Sequence, residues 1–392
     1  MVKNIILYGA FDRYNYGDNL MPLLLEKFIL SDYVENTTNT NFEFTYASIN
    51  FSDLSHYSCK PTVSMKSLLN NNSDFYVIVV GGEVMGADVG TLYTHVQKNI
   101  IYSKAIRILK RLSPYLANSF SKLFYPAAWD YPYIPRKSSF KGNVKVVYNT
   151  VGGVPIQSQW DYVREADYIS VRDQRSFDGV KDFCPAHLVP DSVLIASKLI
   201  DDSFFLKNVR NHVVELCDSK KFITVQACPY KVKFSAKEMA EVLDKIKREK
   251  QLDVILLPIG YASGHDDLVF LEEVNKFSSL GLELVYDLNV WEIMYVIKRS
   301  KAFYGTSLHG VITAMSFGIP HFCVNTDIKK LTSFLKTWSI SPFNKSLDLN
   351  GIYDSIDLIL EYDNSELISS VENTQQLIIS SLKEIVSLSI NH

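Results

Sequence analysis

The stretch FYGTSLHGVITAMSFGIP, from Phe303 to Pro320, sets one histidine between a glycine-flanked turn and an apolar run. Lys301–Tyr304 reads as a strand, Gly305-Thr306-Ser307 as a turn, and His309 to Phe317 holds helical spacing until Gly318 stops it. His309 is therefore expected on the first turn of a helix that begins at a strand's carboxyl end. Backbone N–H groups there have no partner inside the helix, and with the positive end of the helix dipole they make a seat for an anion. An imidazole beside that seat can take a proton from one group and give it to another, base and acid in turn. The competing reading is a histidine that only bonds a neighbouring carbonyl.

Other reactive or anion-binding groups also fall at expected strand ends, where open parallel sheets collect ligands. Strand Tyr168–Val171 ends in Arg172-Asp173, and a guanidinium fork can grip a carboxylate or phosphate in two places. An ion pair with Asp173 or Asp167 is the plain alternative. Strand Asn4–Tyr8 leads into GAFDRYNYGDNL, where Asn15, Gly17 and Asp18 are candidate cleft or acceptor residues. Capping of the next helix by Asp18 or Asn19, with Pro22 in its first turn, explains the acid equally well. Strand Asp74–Val80 runs into Gly81-Gly82-Glu83, whose missing Cβ atoms let a ligand approach the backbone, and Val144–Asn149 runs into a similar turn, Val151-Gly152-Gly153-Val154-Pro155. Lys231 and Lys233 follow strand Phe222–Ala227 and offer positive charge. His265, in GYASGHDD, follows another strand beside Asp266 and Asp267 and is a candidate cleft or acceptor residue, though helix capping by the adjacent acids is the commoner use of such a segment.

These groups need a frame. Short β-branched runs ending in glycine or polar turns, each followed by helical spacing, predict an α/β fold with parallel sheets. Further strands are expected at Asp253–Pro258, Glu283–Tyr286 and His321–Val324. At 392 residues the chain exceeds one core, so two Rossmann-like domains facing a cleft are expected, residues 1–200 and 201–392. The polar segment Ser197 to Lys220 is the candidate junction. Leu367, Val371, Ile378, Leu382 and Val386 predict an amphipathic terminal helix in the second domain.

A net charge of −3 gives no global field for nucleic acid, so any anion site must be local. Five cysteines without a C-x-x-C pair fit a reducing cytosol, and no ligand cluster suggests a metal. The run Ile5 to Ala10 ends at Asp12 without a cleavage-like site, and no apolar stretch is long enough to span a membrane, so a cytoplasmic protein is expected. One segment stands apart. Thr91 to Lys141 holds nine Lys and Arg against the single acid Asp130, with ten aromatics interleaved. It reads as a helical insertion with a solvated basic face, or as a surface for an anionic membrane or a lipid- or nucleotide-linked acceptor, with aromatics stacking on sugar rings.

Taken in order, NYGDN, VVGGEVM, VGGVP, YISVRDQRS, VPDSV and GTSLHGVITAMSFGIP resemble the polysaccharide pyruvyl transferase family over most of residues 4 to 324. The resemblance implies a glycosyltransferase-B-like pair of domains and transfer of pyruvyl from phosphoenolpyruvate to two sugar hydroxyls as a cyclic ketal, without a cofactor. It implies that Arg172 and the Ser307-Leu308-His309 turn contact the donor. With the helix-start reading, this makes His309 the expected catalytic residue and adds Gly310 and the cation Lys231 to the expected donor-binding set. Many members carry arginine two positions before the histidine, where this chain has Ser307. A nucleotide-sugar glycosyltransferase of the same shape and a catalytically silent sugar-binding protein are the competing functions.

Overall fold

The computed structural model describes residues 2–35, 40–97, 100–261 and 267–390. The chain divides into two compact units: unit 1 is Met1–Tyr14, Asp18–Ser192 and Leu377–His392, and unit 2 is Asn15–Gly17 and Val193–Gln376. Each is built on a parallel sheet, as the alternation of strand and helix patterns requires.

In unit 1 the strands are β1 (Val2–Tyr8), β2 (Asn41–Ser48), β3 (Val63–Ser64), β4 (Phe75–Val80), β5 (Glu83–Met85), β6 (Val144–Gly153), β7 (Tyr168–Val171) and β8 (His187–Leu188). They lie in the order β3-β2-β1-β4-β6-β7-β8, with β5 on β6. Every residue of β4, FYVIVV, is buried, as expected of a parallel strand covered on both faces. The chain runs outward from β1 to β3 and then returns to the other side of β1 as β4. Ligand sites form at such reversals, beyond the carboxyl ends of the two central strands.

Unit 2 repeats the plan with β9 (Phe222–Gln226), β10 (Asp253–Leu256), β11 (Glu283–Leu284), β12 (Phe303–Gly305) and β13 (His321–Cys323) in the order β11-β10-β9-β12-β13. Its reversal lies between β9 and β12. The helix expected after β12 runs Leu308–Ser316 and ends as Gly318 anticipates, with Gly318 at φ +66° and the N–H groups of Gly318 and Ile319 bonded to Met315 and Ala314.

Several expectations need correction. The chain passes between units at Ser192/Val193 rather than near residue 200. Ser197 to Lys220 is no linker: it forms helices Asp202–Asn208 and Asn211–Asp218, with Phe205, Val213 and Cys217 buried and Arg210 paired through both Nε and Nη2 to Glu292. The terminal helix, Ser365–Ile390, buries the five apolar positions named above, but its residues from Leu377 onward belong to unit 1. Tyr76 donates to the Ile385 carbonyl at 2.6 Å, Lys145 to that of Leu388 at 3.1 Å, and Tyr168 shares a 2.9 Å hydrogen bond with Ser381. The first helix starts at Tyr16, so Asp18 and Asn19 lie inside its first turn rather than capping it, and Pro22 falls in its interior. Proline there has no N–H to give to the Asp18 carbonyl one turn earlier.

The basic insertion is a helical hairpin, Ile100–Leu112 and Pro114–Phe124, followed by a loop. Tyr125, Trp129 and Tyr133 are core residues, Trp129 and Tyr133 against Tyr8 at the end of β1 and Tyr125 against Tyr93, so stacking on sugar rings is not open to them.

Candidate functional site

Unit 2 assembles its site at the β9/β12 reversal around a buried amide. Gln226 ends β9 at 2% exposure, and its Oε1 accepts the N–H groups of Thr306 at 2.8 Å and Ser307 at 2.9 Å. Its Nε2 donates to Asp267 Oδ2 at 2.7 Å, and the same oxygen accepts from Ile259 N at 3.2 Å and Gly260 N at 2.9 Å. One side chain thus ties the loops that follow β10 and β12 together. Burial lifts the Asp267 carboxyl to about 6, against the opposing pull of its hydrogen bonds and of the Lys231 charge.

Ser307 is the N-cap of Leu308–Ser316, its Oγ accepting from Gly310 N at 3.3 Å. The ring of open amides expected from the sequence is therefore narrower than anticipated. Thr306 and Ser307 give their N–H groups to Gln226, and Gly310 gives its own to Ser307. Leu308 is buried, and a Cβ on Gly310 would fall 2.4 Å from Phe303 Cζ. Positions 308 and 310 thus face packed hydrocarbon, which leaves only their backbone for a ligand.

His309 has a specific seat. An ideal Cβ on Gly17 would fall 1.7 Å from His309 Nδ1 and 2.0 Å from Cγ, so glycine is the residue that lets the imidazole lie where it does. The flanking residues hold the same segment: Asn15 forms an antiparallel bridge with Gly260, and the buried Tyr16 hydroxyl lies 2.8 Å from Thr313 Oγ1, one helical turn beyond His309 on the same face. The first motif and the last meet on one ring. Lys231 stands at the end of the short helix Pro229–Lys231, its carbonyl bonded to Asn325 Nδ2 at 2.6 Å. Lys233 is exposed and paired with Asp327 at 2.6 Å, so its charge is partly spent. A separate cavity of about 650 Å³ lies between Lys233, Glu241, Lys245, Asn325 and Asn350, and neither Gln226 nor His309 lines it.

In unit 1 Arg172 differs from expectation. It is 1% exposed and sits between Asp191 and Glu83, its Nη1 3.1 Å from Asp191 Oδ2 and its Nη2 3.1 Å from Glu83 Oε2. Burial disfavours its charge, but Asp191, Glu83 and Asp173 hold the guanidinium protonated. Neither of the partners foreseen is the main one: Asp173 caps the helix Gln174–Asp178 through Ser176 N, and Asp167 accepts from Val146 N and pairs with Lys137. A guanidinium so enclosed is a clamp between β7, β8 and β5 rather than an open grip for a ligand. The more exposed cation on Glu83 is Arg175, which bonds the other carboxylate oxygen. Gly152 makes room for this arrangement, since a Cβ there would lie 2.6 Å from Glu83 Oε2 and 2.8 Å from Arg172 Nη2.

Beyond β1 and β4, Gly81 and Gly82 adopt φ +55° and +77°, which only glycine takes without strain, and close on Met21 and Asp18 of the first helix. Asp12 accepts from the Tyr125 hydroxyl and pairs with Arg13 at 3.1 Å. Burial opposes the Arg13 charge, while Tyr133, Tyr125, Asp12 and Asp18 raise its affinity for the proton. His265 lies outside the described residues.

Gln226, Asp191, Arg175 and Arg13 carry no role in the sequence reading, and Asp267 enters it only as a capping acid beside His265. Gln226 carried one signal, a lone amide closing the apolar strand FITVQ; Asp191 and Arg175 lay unassigned inside quoted motifs.

No curated protein matches the sequence. Among solved structures the chain is similar to a UDP-GlcNAc 2-epimerase from Neisseria meningitidis bound to UDP-GlcNAc, at 10% identity and TM-score 0.56, covering 100% of this chain and 99% of that one. It is similar to the MnaA–UDP co-structure from S. aureus at 12% identity and TM-score 0.54, covering 100% and 97%. A UDP-GlcNAc 2-epimerase from Methanocaldococcus jannaschii aligns at 11% identity and TM-score 0.55, covering 96% and 99%. At such identity the likeness is one of fold: two Rossmann-like sheets of the glycosyltransferase-B kind. No helix among the described residues is long and apolar enough to cross a membrane. The model of polysaccharide pyruvyl transferases matches residues 15–328, a span that opens at the Asn15–Gly17 segment and encloses Arg172, Gln226 and the Ser307–His309 turn, and the chain belongs to that family.

Proposed function

We propose that the protein transfers a pyruvyl group from phosphoenolpyruvate to two hydroxyls of a sugar in a surface polysaccharide or its precursor, forming a cyclic ketal and releasing phosphate. The observation that supports it is the seating of His309 on Gly17, which brings the two ends of the family's span to one imidazole. In the proposed reaction the donor's methylene carbon gains a proton and becomes a methyl group. One sugar hydroxyl adds to the adjacent carbon, the C–O bond to phosphate breaks, and the second hydroxyl closes the ketal. Of the two hydroxyl protons, one balances the new C–H bond and the other leaves with phosphate, so the reaction as written calls for no cofactor beyond the donor.

His309 is assigned the proton transfers. The positive end of the nine-residue helix Leu308–Ser316 is assigned the departing phosphate, with Lys231 adding charge. Arg172 is assigned a positioning role through Glu83 and Arg175 the exposed cation of that pair, while Asp18 and the Gly81-Gly82 turn are assigned to the acceptor. The acceptor is proposed to be lipid- or nucleotide-linked, and the site of action cytoplasmic.

The test is incubation of purified protein with phosphoenolpyruvate and candidate sugars. Acceptor-dependent phosphate release, with a product heavier by a ketal-linked pyruvyl group, supports the proposal. Nucleoside diphosphate released from a sugar nucleotide would replace it with glycosyl transfer, the alternative that Ser307 in place of the family's frequent arginine keeps in play. Retention of sugar without turnover of either donor would replace it with simple binding.

A further inference from the structure

We propose that the helical hairpin Ile100–Leu112 and Pro114–Phe124 seats the protein on an anionic lipid bilayer. One side of the hairpin is anchored: Ile106, Ala117 and Ser121 are buried, and the Asn118 side chain accepts from Gly90 N at 2.8 Å. The other side presents large apolar groups to solvent, with Ile101 and Leu112 each 80% exposed, Tyr115 78% and Leu123 75%, joined by Ile108 and Leu116. Ile101, Ala105, Ile108 and Leu112 recur at three- and four-residue intervals, so they form one line along the first helix, and the next helix adds the exposed Tyr115, Leu116 and Leu123. Soluble chains rarely leave so continuous an apolar strip uncovered without a use for it.

Charge selects the occupant. Lys104, Arg107 and Arg111 are exposed on that helix, and no described carboxylate pairs with them, whereas Lys110 pairs with Asp88 and Lys122 with Asp130. Unpaired cations flanking an apolar line on a surface helix match the two layers of a membrane face: anionic headgroups for the cations, acyl chains for Ile and Leu. The hairpin therefore lies in the plane of the interface, and an acceptor that carries a lipid would be met there. The inference stands apart from the proposed reaction, because its test uses neither donor nor acceptor.

Purified protein is floated with vesicles of phosphatidylcholine alone or of phosphatidylcholine with phosphatidylglycerol. Binding is expected only to the second, and is expected to weaken as salt is raised. Each cation near such a surface is worth about fivefold in partitioning, so Lys104→Glu/Arg107→Glu/Arg111→Glu should lower it by about a hundredfold or more. Ile101→Ser/Ile108→Ser/Leu112→Ser should lower it more than about tenfold even at low salt. Both variants change exposed side chains only and should keep the wild-type circular dichroism and melting curve. Equal binding to neutral vesicles, binding to neither kind, or wild-type binding by the charge variant would each overturn the proposal. So would a self-association in sedimentation that the Ser variant abolishes, since the strip would then be covered by a second copy of the chain.

Discussion

Gly17→Ala separates two effects that point in opposite directions. Gly17 sits in the first turn of the helix Tyr16–Ile29 with a backbone conformation open to any residue, so by intrinsic preference alanine should stabilise the helix by up to about 1 kcal/mol. The new methyl group would, however, start 1.7 Å from His309 Nδ1, where ordinary contact begins at 3.4 Å. The ring must retreat by roughly 1.5–2 Å, and overpacking of this kind costs about 1–3 kcal/mol. Replacing His309 by alanine removes the obstacle, so Gly17→Ala should destabilise the wild type and be neutral or stabilising in a His309→Ala background. The expected coupling is the overpacking cost itself, about 1–3 kcal/mol, read from urea midpoints of the four proteins at constant denaturant slope. Turnover of phosphoenolpyruvate by Gly17→Ala should fall about a hundredfold, the cost of misplacing a reacting group by an ångström or so, and His309→Ala should remove it. Equal effects of Gly17→Ala in both backgrounds would refute the seating of His309 on Gly17 and the mechanism built on it.

Other expectations follow from the same geometry. Gly152→Ala pushes a methyl group between Glu83 and the buried Arg172 guanidinium, and breaking such a pair should cost about 3–5 kcal/mol in thermal unfolding; a change under about 0.5 kcal/mol would show that the clamp is not closed as described. Asp267, lifted to about 6 from an ordinary 3.8, favours the folded state fully below the lower value and loses that contribution as pH rises through the higher one, a swing of about 3 kcal/mol. Buried His321 acts the other way: burial depresses it from 6.5 to about 4, so its contribution is complete above the first value and drains as pH falls toward the second. The two oppose each other in wild type, and Asp267→Asn should lose stability on acidification from pH 6.5 to 4 more steeply by about 2 kcal/mol. Parallel pH profiles for the two proteins would contradict the assigned burial of Asp267.

The sequence by itself determined the elements around the site. β4, with its run of buried β-branched residues, and the apolar helix stopped by Gly318 were legible because local periodicity and turn chemistry are properties of neighbours in the chain. β2 escaped because NFEFTYAS lacks the continuous apolar run that marks the other parallel strands, although its alternation is itself a strand signal, and β3, β5 and β8 are too short to carry a period. His309 at a helix start was legible for the same local reason. What only the tertiary structure decided were the partners. Asp191 and Glu83 rather than Asp173 or Asp167 enclose Arg172, Gln226 consumes amides that seemed open, and aromatic residues of the basic segment became core while its apolar line stayed outside. These outcomes depend on which strand ends lie side by side in a sheet whose order is not the order of the chain, and nothing in the spacing of residues along the sequence encodes that adjacency.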